Sequence, residues 1–331
     1  MSRTVYRDFD EFAESIAGVE GRFVPTARSA AEWWLQGRVA RRISFQQLQI
    51  GGRATFAGGG QQDMLTLGLP ITDARCIRID ACELKEDGFI VMDRAQPFAF
   101  SGSGVTRWCG ISLPLDHPNL DVRTLEALGA ADSVRTRARL VHLAHLNRLV
   151  SRMLSPDSLI ENHPSVAAAQ EQDIALAVAQ LLECSHPDQE RRVIGRPHLS
   201  RRRAVARCLD LIESNPRTPV LIEDLCRVAG MCERTLRSVF QEYFGVPPMR
   251  LLRAKQLWDV RAALLSSSPE QDTVKRIAAR FGVWDLSLFA HNYKELFAEL
   301  PSVTLRSRMR EAPHNPGITW LKFAAQAAKR E

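Results

Sequence analysis

The sequence predicts an α+β protein in which a β-rich N-terminal domain precedes a wholly helical C-terminal domain. Between residues 21 and 115, short apolar or alternating runs such as 43–45, 76–81 and 89–92 are separated by glycine turns. From Arg201 onward the apolar residues recur at helical spacing, and prolines and glycines divide this pattern into about seven short helices.

Changes of pattern also divide the chain into segments. We expect a β-rich domain, a helical segment, a polar linker, a helical domain and a tail, with the bounds 1–120, 121–184, 185–199, 200–310 and 311–331.

The N-terminal domain is expected to be a small sandwich or barrel, because its many short strands have no helices between them. A short helix capped by Asp8 should precede it, with Phe9, Phe12 and Ile16 on one face. Two amphipathic helices, 133–154 and 165–183, should follow it and pack antiparallel. Their spare apolar faces suit either the outside of the barrel or a dimer partner.

The composition indicates a soluble, cytoplasmic protein. Of the 331 residues, 45% are hydrophobic and 25% are charged. The chain has no run of about 18 apolar residues, and Met1–Asp10 lacks an apolar core, so we expect neither a membrane span nor a secretory signal. The seven cysteines form no CxxC pair, which favours free thiols over a disulfide framework or a zinc site. We therefore expect no metal and no other cofactor.

The net charge of +6 is distributed unevenly. Residues 196–310 contain 20 basic and 12 acidic side chains, whereas residues 1–195 carry a net charge of −3. This asymmetry favours a basic module that binds a polyanion, joined to a module that does not.

Two segments of the C-terminal domain, 225–248 and 277–301, repeat one pattern. Each has a helix, a glycine (Gly230 or Gly282), a short turn, a second helix and a closing proline. Glycine permits the positive φ that a tight turn between two crossed helices requires. Apolar residues at i, i+4 and i+8 bury one face of each second helix and leave the other free to enter a DNA major groove.

The polar faces of these two second helices, 233–243 and 286–297, are the predicted DNA-binding residues. They are Arg234, Thr235, Arg237, Ser238 and Gln241 in the first unit, and Ser287, His291, Asn292 and Lys294 in the second. Arg234 and Arg237 are the best candidates for base contacts, because arginine can donate two parallel hydrogen bonds to guanine. The second unit is less basic, so we expect the first to dominate the affinity.

The connector between the units, 249–267, is predicted to form one helix about 28 Å long. Such a helix can hold two recognition helices near one DNA turn apart, roughly 34 Å. One chain could then contact two successive major grooves of double-stranded DNA.

Residues 200–308 resemble the DNA-binding domain of the AraC/XylS family of transcription regulators. The resemblance rests on Ile222–Leu225, Ala229–Met231, Arg234–Leu236, Phe240, Gly245, Pro248, Arg253, Leu257, Val274, Ile277–Ala278, Phe281–Gly282, Phe289 and Pro301. It implies seven helices, two helix-turn-helix units, activation of promoters and contact with RNA polymerase. The chain departs from the family at Cys232, where a capping serine is usual, and at Ser238, where arginine is common.

The resemblance also implies a cupin-like (jelly-roll) sensor for a small effector, followed by a helical dimerisation pair. Together with the two helix-turn-helix units, this pair predicts a homodimer, or a monomer that dimerises on DNA. Residues 88–114 resemble such a sensor. The candidate effector-binding residues are Trp33, Trp34, Arg42, Gln47, Phe98 and Trp108, and further candidates are Phe89, Phe100 and Arg107. The aromatic ones suit a plain hydrophobic core equally well.

Three alternatives remain for the N-terminal domain. It could only dimerise or bind a partner protein. A metal-dependent cupin enzyme would need converging histidines and a carboxylate, yet residues 1–116 contain no histidine. A DNA-repair activator would need four clustered cysteines, which Cys76, Cys82 and Cys109 do not supply. We therefore expect a regulator and not an enzyme.

Overall fold

The computed structural model describes residues 3–7, 9–93, 97–129, 134–155, 164–188, 198–215 and 220–307. It confirms a β-rich N-terminal region and a helical C-terminal region. Within these ranges, no helix combines the length and the apolar character that crossing a membrane requires. The predicted cap residue Asp8 and the predicted tail, 311–331, lie outside the described residues.

An eight-stranded antiparallel sheet forms one wall of the N-terminal domain. In spatial order its strands are β1 (Thr4–Tyr6), β3 (Trp33–Ala40), β4 (Ile43–Ile50), β11 (Thr106–Pro114), β6 (Met64–Pro70), β9 (Gly88–Asp93), β12 (Arg135–Arg137) and β13 (His186–Pro187).

A five-stranded antiparallel sheet forms the opposite wall. Its strands are, in order, β2 (Val19–Pro25), β5 (Ala54–Gly60), β10 (Pro97–Gly102), β7 (Ile77–Ile79) and β8 (Cys82–Glu83). Helix α1 (Phe9–Glu14) packs on β2, and Phe12 is buried against the rings of Phe23 and Trp33.

Alternation along the strands assigns each side chain to one face of its sheet. In β4, Phe45 belongs to the core shared with the helices that follow the sandwich, whereas Leu48 belongs to the core between the sheets. In β10, Phe98 and Phe100 also lie between the sheets, whereas Ala99 packs against the C-terminal domain. The sandwich therefore has an aromatic-rich interior and two covered outer faces.

Helices α3 (Leu140–Met153) and α4 (Pro164–Glu183) pack together over the outer face of the eight-stranded sheet. Leu146 and Ile174 are fully buried there, in one cluster with Phe45. The sequence left open whether the apolar faces of these two helices pack on the outside of the barrel or on a dimer partner. In the structure they pack on the outside of the sandwich. A further helix, α2 (Val122–Gly129), contacts β9.

The helix predicted from residue 133 begins later than the sequence suggested. Residues Arg135–Arg137 form β12, which pairs with β9. The Arg135 guanidinium donates to Asp188 over 2.9 Å, and both side chains are at most 6% exposed. The helical spacing of Val134 and Ala138 was therefore misleading, because strand pairing and this buried ion pair stabilise an extended backbone. Strand β13 likewise lies inside the predicted linker.

The C-terminal domain contains seven helices within the described residues, as expected. They are α5 (His198–Ser214), α6 (Ile222–Ala229), α7 (Glu233–Phe244), α8 (Pro248–Leu265), α9 (Val274–Arg280), α10 (Leu286–Phe297) and α11 (Pro301–Arg306). Gly230 and Gly282 adopt φ values of +65° and +73°, so each glycine occupies the left-handed backbone region that its turn requires.

Candidate functional site

Helix α7 carries the first candidate DNA-binding surface. Leu236, Phe240 and Tyr243 are buried on its inner face, whereas Arg234 and Arg237 are exposed on the outer face. Ser238 and Gln241 are exposed as well, and Thr235 is half-buried. The helical periodicity therefore places the predicted polar residues of the first unit on one accessible side.

The polar side chains of α7 are held by contacts near the helix surface. Arg237 lies 2.5 Å from the Glu233 carboxylate, and the Ser238 hydroxyl donates to Glu242 over 3.1 Å. The Gln241 amide donates to the carbonyl of Gly245 over 2.9 Å. Exposed ion pairs of this kind contribute about 0–1 kcal/mol. A DNA base or phosphate can therefore displace Glu233 from Arg237 at little cost.

The N-terminus of α7 is capped weakly. Cys232 takes the capping position with an extended backbone, but its side chain accepts no hydrogen bond from the helix backbone. Its sulfur instead lies 3.2 Å from the Thr235 hydroxyl. Hydrogen bonding from that hydroxyl holds the pKa of the Cys232 thiol below its ordinary value. As the sequence indicated, cysteine is a poor cap here.

Replacing Cys232→Ser is expected to increase the free energy of unfolding by about 0.5–1 kcal/mol. A serine oxygen can accept a hydrogen bond from a backbone N–H of the first turn, which the thiol does not do here. Urea unfolding followed by circular dichroism measures the change. Cys184→Ser is the matched control, because Cys184 is also exposed but follows the last residue of α4. Equal stability of the two variants would contradict the capping argument.

Helix α10 carries the second candidate surface. Asp285 caps it by accepting from the backbone nitrogens of Ser287 and Leu288 over 3.0 and 2.9 Å. Phe289 and Tyr293 are buried. Of the predicted contacts, Ser287, His291 and Lys294 are exposed and Asn292 is half-buried.

Two exposed apolar residues beside this surface were missed in the sequence analysis. Trp284, in the turn before α10, is 83% exposed, and Leu288 on α10 is 47% exposed. Both side chains are apolar, whereas the predicted DNA contacts were all polar. The available signal was that neither residue belongs to the i, i+4, i+8 apolar series that buries the helix.

The two domains are joined by a continuous hydrophobic contact. Val24, Ala57 and Ala99, on the outer face of the five-stranded sheet, belong to the same core cluster as Phe240 and Leu251 of the C-terminal domain. Helix α7 thereby contacts β10, and α8 contacts β2. One face of the five-stranded sheet therefore lines the interior of the sandwich, and the helical domain packs on its opposite face.

A buried ion cluster and an aromatic contact reinforce this junction. The Asp259 carboxylate of α8 lies 3.0 Å from Arg22 of β2 and 2.7 Å from Lys255. The Trp258 indole nitrogen donates to the carbonyl of Pro25 over 3.3 Å. The Trp258 ring also lies between Phe9 of α1 and Phe297 of α10, with centroid distances of 4.4 and 4.5 Å. Trp258 thus connects the N-terminal domain to the second candidate surface.

An apolar cavity lies between the two sheets. Its volume is about 80 Å³, and about 550 Å³ when the open space at its mouth is included. The five-stranded sheet contributes Phe23, Phe56, Phe98 and Phe100, and the other wall includes Leu48, Ile90, Met92 and Trp108. Among the described residues, no group of three or more His, Cys, Asp or Glu side chains is arranged to hold a metal ion.

Of the six candidate effector-binding residues, Phe98 and Trp108 line this cavity and four do not. Trp33 is buried beside the cavity, in the cluster with Phe9, Phe12 and Phe23. Trp34 contacts Arg3, Arg42 pairs with Asp116, and the Gln47 amide donates to Ser151 of α3. Gln47 points to the helices rather than the cavity because strand alternation separates it from its neighbours Gln46 and Leu48. Among the further candidates, Phe100 lines the cavity and Phe89 packs against the helices.

Comparisons with known proteins relate the chain to transcription regulators. Residues 225–307 match a family model described as a helix-turn-helix domain. The chain is 30% identical over 151 residues to the XylDLEGF operon transcriptional activator of Pseudomonas putida, covering 46% of each chain. It is 28% identical over 158 residues to a probable thc operon regulatory protein of Rhodococcus erythropolis, covering 48% of this chain and 46% of that one. The chain thus spans about half the length of the curated relatives it matches.

A solved structure is also similar to a third of the chain. The chain is 33% identical to a probable AraC family transcriptional regulator from Rhodopseudomonas palustris, covering 33% of this chain and 98% of that one, with a TM-score of 0.29. The chain belongs to the AraC/XylS family of transcription regulators.

Proposed function

We propose that the chain is a sequence-specific DNA-binding regulator that activates transcription and carries no catalytic activity. The observation that carries this proposal is the outer face of α7, where Arg234 and Arg237 are exposed while Leu236 and Phe240 are buried. A helix with one apolar face anchored in its domain can place the opposite face in a major groove. The similarity to a transcriptional activator supports activation rather than repression.

Both helix pairs, α6–α7 and α9–α10, act as helix-turn-helix units in this proposal. Helix α8 connects them with 18 residues, about 27 Å of helix, which suits two units near one DNA turn apart. Arg234 and Arg237 contact base edges, and Thr235, Ser238 and Gln241 assist them. Ser287, His291, Asn292 and Lys294 contact the next groove and its phosphates, and exposed Trp284 and Leu288 add apolar contacts of the kind that thymine methyl groups accept.

The N-terminal domain serves as a cupin-like sensor in the same proposal. A small molecule in the cavity contacts Phe23, Phe56 and Phe98 on one face of the five-stranded sheet. The C-terminal domain packs on the opposite face, through Val24 and Ala99. The ligand and the DNA-binding domain therefore contact opposite faces of the same sheet. Occupancy of the cavity can then favour one packing of the DNA-binding domain over another.

A homodimer is also part of the proposal. Leu140, Val141 and Leu176, on α3 and α4, are between 49% and 60% exposed, and they offer an apolar surface to a second copy. Membership of the family is the reason to propose RNA polymerase as a further partner.

The alternative to the sensor is an N-terminal domain that only dimerises or binds another protein. Thermal shifts measured with and without small molecules distinguish the sensor from this alternative.

Mapping the DNA bound in the organism that encodes the chain tests the main proposal. We expect discrete promoter sites, and in vitro each chain should protect about 20 base pairs, two helical turns. The affinity should fall steeply with salt, because several phosphates are neutralised. A log–log salt slope near zero would exclude DNA binding, and protection of only about 10 base pairs would contradict the use of both units.

A further inference from the structure

Among the described residues that line the cavity between the sheets, none carries a charged side chain. Its walls are aliphatic and aromatic, and the polar side chains among its lining residues are those of Gln46, Thr66 and Cys109. This composition restricts the ligands that the cavity can hold, because a buried charge needs a partner of opposite charge or several hydrogen bonds.

The polar side chains at the cavity are already engaged within the fold. The Gln46 carbonyl oxygen accepts from the Ala17 backbone nitrogen over 3.2 Å, and its amide donates to the Ala17 carbonyl over 3.4 Å. The Thr66 hydroxyl lies 3.0 Å from the Gly18 carbonyl and 3.1 Å from the Ser112 hydroxyl. Burial raises the pKa of the Cys109 thiol to about 12, so this group is uncharged near neutral pH.

The cations nearest in sequence to the lining residues point away from the cavity. Arg22 precedes Phe23 on β2, but it crosses the outer face of the sheet to Asp259 of α8. Arg107 precedes Trp108 on β11, and its guanidinium donates to Gln49 on the other face of its sheet, over 2.8 Å. Strand alternation causes both placements, because residues adjacent on a strand lie on opposite faces. A carboxylate in the cavity would therefore meet neither arginine.

Aromatic rings form much of the lining. Phe56 lies between Phe23 and Phe98, with centroid distances of 4.8 and 5.4 Å, and Phe100 lies 5.8 Å from Trp108. Rings arranged in this way offer faces and edges to a further ring.

We propose that the cavity binds an uncharged ring-containing hydrocarbon-like molecule and excludes the carboxylate of the same shape. This inference rests on the proposed function, in which the cavity is the effector site, and adds the chemical class of its ligand. Binding is driven by the apolar area removed from water, and discrimination arises because the walls cannot replace the hydration of a carboxylate.

Two probe pairs test the inference on the full, unaltered chain: toluene with benzoate, and 1-methylnaphthalene with 1-naphthoate. Each pair differs mainly in a methyl group against a carboxylate. Calorimetry at pH 7.5 should show that at least one uncharged member binds at least 100-fold more tightly than its carboxylate. The carboxylate should also bind more tightly as the pH falls towards the pKa of the acid, because only the uncharged acid enters.

A cavity-filling variant locates the site. A Cβ added at Gly68 would meet Trp108 and Ile90 at 3.6 and 3.7 Å, ordinary contact distances, so the larger side chain of Gly68→Leu should occupy the cavity. We expect it to weaken binding of the uncharged probe at least tenfold. Gly104→Leu is the matched control, since a Cβ at Gly104 meets nothing within 4 Å. Circular dichroism checks that each variant is folded. The affinities within each probe pair are compared on the unaltered chain, so that comparison does not depend on any variant.

The outcomes separate this inference from the proposed function. Equal or tighter binding of the carboxylates would overturn the ligand class and leave the effector site standing. Uncharged binding that Gly68→Leu does not affect, although the variant is folded, would overturn the assignment to this cavity. If neither member of either pair binds, the inference and the proposed effector site both fail, while DNA binding is judged separately from the salt titration.

Discussion

Replacing Arg234 and Arg237 together with alanine is expected to abolish the preference of the protein for its own promoter sites. Each arginine that donates two hydrogen bonds to a guanine contributes about 1–3 kcal/mol of discrimination, roughly 5- to 150-fold in affinity. Both side chains are exposed on α7, and Leu236 and Phe240 hold the helix in place from its inner face. The substitutions should therefore leave the fold intact.

The measurement is the ratio of affinities for a bound promoter site and a scrambled duplex, at one salt concentration. A second double variant, Arg227→Ala with Arg306→Ala, removes the same charge from exposed positions of the same domain. That control lies outside α7 and α10, so it should leave the ratio unchanged, because a loss of positive charge alone carries no sequence information. An unchanged ratio in the Arg234/Arg237 variant would refute the assignment of base contacts to α7.

Replacing Asp259→Ala should destabilise the junction between the domains by about 3–5 kcal/mol, the usual effect of removing one partner from a buried ion pair. Asp259 is the carboxylate that Arg22 and Lys255 share, and the three side chains are only 5–13% exposed. Removing it leaves the two buried cations without this counter-charge. The free energy of unfolding, from urea titration of the full chain, reports the effect.

Two controls make the Asp259 measurement specific. Asp73→Ala removes a carboxylate from an exposed pair with Arg75, so it should be much less destabilising than Asp259→Ala. Replacing all three members of the cluster with apolar residues of similar size should recover much of the loss, because no buried charge then remains. If Asp259→Ala is no more destabilising than Asp73→Ala, the cluster does not hold the domains together.

Much of the C-terminal domain could be predicted from local sequence. The apolar series ending at Phe240 and Phe244 determines which face of α7 is buried, and the same spacing places Phe289 and Tyr293 inside α10. Gly230 marks a turn of positive φ that few other residues adopt. These signals lie within a few residues of the structure they determine, so periodicity and turn chemistry are sufficient to detect them.

Tertiary structure decided the rest, and the reason is the distance along the chain between interacting groups. Val134 and Ala138 have helical spacing, but Arg135–Arg137 between them is extended, because the partners β9 and Asp188 are distant in sequence and local pattern does not reveal them. Trp108 lines the cavity and Gln47 does not. This difference depends on which face of the eight-stranded sheet is turned towards the five-stranded sheet. Arg22 and Asp259 are 237 residues apart in sequence and 3.0 Å apart in space. The sequence by itself determined the helices that present the candidate DNA-binding residues, whereas only the packing of distant segments determined the cavity and its connection to these helices.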